Sequence, residues 1–164
     1  MVLYPWVVIA HVVAVIVAFG AHGVSAFAMF RVRREPDRAR LMAVLDLSSS
    51  ALLTATAGFL LALILGIAAT IMGGFAGQAW PWLSLAILVG VGVAMTPLAL
   101  TPMSDVRKAL GMPVRSDKAG DPPRSPSTDA ELTAAQARLR PEAVAAVGLV
   151  AIVVLVWLME AKPL

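Results

Sequence analysis

Four stretches of this chain, 3–30, 47–72, 80–101 and 141–159, carry one formal charge between them, Glu142. Uncharged apolar runs of about 18 residues or more read as membrane-crossing helices, since about 20 helical residues span the hydrocarbon core. With backbone polar groups barred from lipid unless paired, four such runs dictate an all-α fold. The expectation is an integral membrane four-helix bundle, one domain over residues 1–164, with spans at the four ranges above. Only 14% of the residues are charged, where a soluble domain carries about 25%. The charges gather between the apolar runs.

The run 3–30 has no Lys or Arg before it and exceeds the ~7–15 residues of a signal-peptide core, so it reads as a span. Tyr4 and Trp6 mark its outer end, and Trp80 and Trp82 mark the start of the third span, where aromatic rings favour the interface. Pro36 suits the first turn of the second helix. Gly73, Gly74 and Gly77 form a short uncharged turn. Pro97 lies inside the third span and predicts a kink near 93–97, because it removes a backbone donor. Gly111 is the expected stop of an extension of that helix. The proline- and polar-rich segment 112–127 predicts a flexible loop. Thr128 to Glu131 fits a capping box, which starts a short helix leading into the fourth span.

Orientation follows from Lys and Arg. Arg31, Arg33, Arg34, Arg38 and Arg40 follow span one, and seven more lie between spans three and four, so 12 of 13 fall on one side. The positive-inside rule places that side in the cytoplasm and both termini outside. The net charge of +3 is explained by this arrangement and does not call for a nucleic-acid partner. The expected partners are the lipid bilayer and a homo-oligomer or larger membrane complex. The chain has no cysteine, which excludes disulfides, thiolate metal sites and a cysteine nucleophile.

The only histidines, His11 and His22, lie inside span one. Eleven residues turn a helix by about 1100°, leaving the rings about 20° from alignment and about 16 Å apart along the axis. Ala14, Ala18 and Ser25 share their face and Met29 ends it. A face of small and polar residues belongs inside a bundle. His11 and His22 are candidate ligands for haem or copper, with Met29, Met95 and Met103 as thioether donors for Cu(I). The bland alternative is that each bonds a neighbouring helix. One chain cannot bring both rings to one iron, although a parallel dimer could pair each with its mate. Asp46 is a candidate proton or cation site, or an interface residue pairing with Arg40 or Arg31. Thr54 and Thr56 are further intramembrane polar groups. The small residues Ser50, Thr54, Gly58, Ala62, Gly66, Ala69 and Gly73 read as a packing stripe. No phosphate loop, HExxH or G-x-S-x-G pattern is present.

The opening His11-Val-Val-Ala-Val-Ile-Val-Ala-Phe-Gly20, its basic loop, and the ending Trp157-Leu-Met-Glu-Ala-Lys162-Pro163 resemble a bacterial family of small integral membrane proteins of unknown function. That family is similar in style to the membrane part of copper-resistance protein D. The resemblance implies a multi-pass protein of the bacterial inner membrane, and a copper link that would fall on His11 and perhaps His22. Three functions stay open. The first is a non-enzymatic structural or accessory membrane subunit, favoured by the packing stripes. The second is a haem- or copper-binding protein. The third is a small oligomeric transporter lined by the His11 face, Thr54, Thr56 and Asp46.

Overall fold

The computed structural model describes residues 2–163. The chain ends, Met1 and Leu164, lie outside the described residues. All regular structure among those residues is helical: α1 (Tyr4–Arg34), α2 (Arg38–Met72), α3 (Ala79–Met95), α4 (Thr101–Ala109), α5 (Asp129–Ala137) and α6 (Pro141–Ala161). A π-helical turn, Thr96–Leu100, joins α3 to α4. Four helical stretches are long and apolar enough to cross a membrane: Tyr4–Arg34, Arg38–Met72, Ala79–Ala109 and Asp129–Ala161.

The helix ends follow local chemistry. Asp37 caps α2 by accepting from the Arg40 N–H at 2.8 Å, so Pro36 stands just before the cap rather than in the first turn. The carboxylate wins that place because it can satisfy an orphan N–H. α2 ends in a Schellman motif: Phe75 N–H donates to Thr70 O and Gly74 N–H to Ile71 O, with Gly74 at φ +75°. α4 ends the same way on Gly111, where Met112 N–H donates to Arg107 O and Gly111 N–H to Lys108 O. Pro97 breaks the third long helix as a π turn, in which Thr101 N–H reaches Thr96 O. The missing donor of Pro97 is absorbed by widening the turn. Thr128 and Glu131 form the full capping box that starts α5.

The long helices pack as two pairs. α1 lies along most of α2, and α3 along α6; α1 and α6 join the pairs, while the consecutive α2 and α3 touch only sparsely. The order across the bundle is therefore α2, α1, α6, α3. Both basic segments end up at the same end of this row, tied by three ion pairs. Arg33 on α1 grips Glu142 on α6 at 2.8 Å, Arg38 on α2 grips Asp129 on α5 at 2.7 Å, and Arg107 on α4 meets Asp46 on α2 at 3.3 Å. The large buried side chains also concentrate there: Met29, Val32, Leu41, Leu45, Val106, Leu139 and Val144 form one cluster beneath α4 and α5. At the opposite end, the Lys162 ammonium lies 5.0 Å from the centre of the Phe75 ring.

The segment 112–127, expected as a flexible loop, is anchored at both ends. Met112 and Val114 are buried. Arg124 reaches Met112 O and the Asp117 carboxylate, and Ser127 N–H donates to Ala109 O. Residues 118–126 are exposed.

Candidate functional site

The face of α1 that carries His11, Ala18 and Ser25 is the seam along which α1 meets α2. As α1 advances from His11 through Ala18 to Ser25, its partners on α2 retreat from Gly66 through Gly58 to Ser48. Ala14 and Ala18 are buried, and Ala18 is fully enclosed. A Cβ on Gly58 would stand 3.0–3.1 Å from the Cβ, Cα and N of Ala18, so the two backbones approach as closely as glycine allows. Ser25 Oγ donates to Ser48 O at 3.3 Å.

His11 seats on this seam. Its Nδ1 lies 2.8 Å from Ala62 O. A carbonyl oxygen only accepts, so Nδ1 carries a proton and donates it to Ala62 O. Gly66 stands one turn after Ala62, over the carbonyl that the imidazole must reach. A Cβ there would lie 3.0 Å from Cε1 of His11. The missing side chain of Gly66 is thus what opens Ala62 O to a donor from another helix.

His22 faces a different neighbour. A Cβ on Gly148 of α6 would stand 3.3 Å from its Nε2. The seam explains the divergence. Seam contacts repeat every seven residues, at His11, Ala18 and Ser25. On that 3.5-residue period, His22 falls about 50° off the seam, which turns it from α2 towards α6. Helical arithmetic on a straight α1 put the two rings on one face; packing divides them between two helices.

Asp46 is exposed and pairs with Arg107, rather than with Arg40 or Arg31. Arg107 also donates to Ser49 Oγ at 2.9 Å, Leu45 O at 3.2 Å and Pro113 O at 3.1 Å. Thr54 and Thr56 do not line an interior. Both are exposed, and their hydroxyls donate to the carbonyls of Ser50 and Leu52 in their own helix. Such back-bonding leaves an exposed hydroxyl without an orphan donor. The lining imagined for a transporter is therefore split between the α1 seam, the outer surface of α2 and an ion pair at the basic end. Met29 and Met95 are buried in the apolar cluster at that end, with Met103 packed against it. Among the described residues, no three His, Asp or Glu side chains gather where they could hold one metal ion. His11 and His22, on separate neighbours, do not fit a two-imidazole site within one chain.

Two residues the sequence reading passed over matter here. Gln136 is buried, and its amide donates to Val32 O at 2.7 Å and Glu35 O at 2.9 Å, closing the end of α1. Its only signal was a place on the apolar side of a short helix beside Leu132, Ala135 and Leu139. Gly148 was the other, a glycine in an apolar span with nothing in the sequence to show that a histidine lies over it.

Comparison with protein families, with curated proteins and with solved structures finds no match.

Proposed function

We propose that this chain is an integral membrane protein that serves as a non-enzymatic structural or accessory subunit of a bacterial inner membrane. Its basic end faces the cytoplasm and both termini lie outside. The observation that carries the reading is the seating of His11 on Ala62 O and Gly66. Its polar donor serves helix association, and His22, lying against Gly148, occupies the second helix contact of α1. Large apolar side chains are exposed along every long helix, which suits a protein that presents itself to lipid or to other membrane helices.

The test is His11→Gln and His22→Gln in detergent-purified protein. Gln can still donate and accept, and interhelical hydrogen bonds are worth about 0.6 kcal/mol on average, so both variants should unfold within a few degrees of the parent. Spectra and metal content should not change. A Soret band or stoichiometric copper that either substitution abolishes would overturn the reading.

One observation favours the haem or copper alternative. A metal-ligating imidazole ordinarily donates its other N–H to a carbonyl or carboxylate, as His11 does to Ala62 O, leaving Nε2 free. The remaining ligands would have to come from a second copy of the chain. The same spectra decide between the two.

Orientation has its own test. Cysteines placed at Gln78 and Ser125 report their sides to an impermeant thiol reagent in intact cells. Residue 78 should label and residue 125 should not; the reverse pattern would invert the topology.

A further inference from the structure

The basic end divides its cations into two kinds. Arg33, Arg38, Arg107, Lys108 and Arg124 each hold a carboxylate. Arg31 and Arg34, on either side of Arg33 along α1, belong to those that form no ion pair among the described residues, and they differ from the others in standing directly after an apolar run with aromatic rings. They are exposed and lie with Phe27, Phe30 and Glu35 on one face at the end of α1, along a shallow, open groove.

The spacing of these residues has a direction. Phe27 lies four residues before Arg31, and Phe30 four before Arg34, so each arginine has a phenylalanine about one turn, roughly 6 Å, before it along α1. The rings belong to the end of the apolar run and the guanidiniums follow it. Phe27 is 68% exposed, which is unusual for an aromatic ring with a packing role. A groove that is cationic at its rim and aromatic one turn below has the charge order of a phospholipid, phosphate above and acyl chain beneath.

We propose that this groove binds the headgroup of an acidic phospholipid, with Arg31 and Arg34 on the phosphate and Phe27 and Phe30 against the first part of the acyl chains. Guanidinium suits this role because its planar fork matches phosphate oxygens. The groove contains one carboxylate, Glu35, whose Oε1 accepts from the Asp37 N–H at 3.3 Å, leaving a net positive lining. The carbonyls at the end of α1 would repel an anion, but Gln136 takes those of Val32 and Glu35. A zwitterionic headgroup would bring its own cation against the two arginines. The inference rests on α1 standing in a bilayer, as proposed above. Failure of that reading would appear as protein that stays soluble without detergent, whatever its lipid preference.

The test is native mass spectrometry of the full chain purified in detergent and supplied with phosphatidylglycerol and phosphatidylcholine of matched acyl chains. The parent should retain phosphatidylglycerol at least about tenfold over phosphatidylcholine. R31Q/R34Q should bring the ratio to within about twofold of unity, whereas R115Q/K118Q, which removes two exposed cations of the loop, should leave it unchanged. R31K/R34K keeps the charge that orients the protein and should lose part of the preference, because Lys meets phosphate as a point charge. If R31Q/R34Q is not recovered folded, R34Q and F27A singly should each lower retention several-fold. Equal retention of the two lipids by the parent would overturn the proposal. So would a preference that survives R31Q/R34Q, or one that R115Q/K118Q abolishes as effectively.

Discussion

Glycine at a helix crossing acts through what its missing Cβ would touch, and this chain offers two contrasting cases. At Gly58 a methyl would meet the backbone of Ala18, which cannot rotate away. At Gly66 it would meet the imidazole of His11, which can. Alanine gains about 1 kcal/mol in helix propensity at either site. Overpacking costs about 1–3 kcal/mol where the neighbour is fixed. Gly58→Ala should therefore lower the unfolding temperature in detergent, while Gly66→Ala should be nearly neutral but dislodge His11 from Ala62 O. The His11 ring resonances, followed by NMR, would report that displacement; an unshifted ring would show that the Gly66 gap is not what seats it. The presence of two histidines on the inner side of span one was legible in the sequence, because small and polar residues mark a face. Which helix each one meets was not. That depends on a seven-residue seam set by Gly58 and Ala18, and on Gly148, more than 120 residues away in the chain. Asp46 makes the same point: Arg40 and Arg31 are near in sequence, but Arg107 is brought to it by the fold.

At the scale of elements, the short helix α5 carries a titratable start. The Glu131 carboxyl is held below the usual carboxylate range, first by the Thr128 backbone N–H and then by the Thr128 hydroxyl. A carboxyl depressed in the folded state stabilises above its unfolded pKa, and that contribution disappears as pH falls through the folded value. The start of α5 should thus be firm at neutral pH and loosen only in acid, below the ordinary range. Carboxyl NMR titration of Glu131 would show this. Thr128→Val removes the hydroxyl but keeps the backbone donor, so it should return the titration part of the way. A second prediction concerns the other end of α5. Gln136→Leu keeps the size of the side chain but leaves the carbonyls of Val32 and Glu35 without their buried donor, which should cost about 1–3 kcal/mol. An unchanged unfolding temperature would mean that water replaces the amide. The capping box and the glycine stop at residue 111 were readable because both are local chemistry. Gln136 was not, since its partners sit about 100 residues back in the chain.

The whole molecule is held differently at its two ends. Within the apolar spans, contact rests on small residues and close backbones; at the basic end it rests on large buried side chains, charged hydrogen bonds and the segment after α4. The segment 112–127 read as unable to pack because prolines and polar residues dominate it. Two of its apolar side chains, Met112 and Val114, are nonetheless buried. Gly111 at φ +75° makes the turn that leads to them. The consequence is a division within one loop. Asp117 and Arg124 meet at 3.0 Å across its tip, so the exposed residues 118–123 lie between two anchors and can be exchanged for a short glycine bridge. Closure entropy changes by only about 0.6 kcal/mol per doubling of loop length, so this deletion should shift the unfolding temperature in detergent by no more than a few degrees. Met112→Ala, by contrast, leaves a cavity under α4 and should cost about 2 kcal/mol or more. Arg107→Ala should also lower the unfolding temperature, because its side chain is only 16% exposed and links α4 to Leu45 O, Ser49 Oγ and the Asp46 carboxylate on α2. If the tip deletion proves as damaging as Met112→Ala, the exposed residues contribute to the stability of the bundle itself and the division within the loop fails. If all three are mild, the basic end is held by the ion pairs of Arg33 and Arg38 alone, and the buried segment after α4 is a passenger.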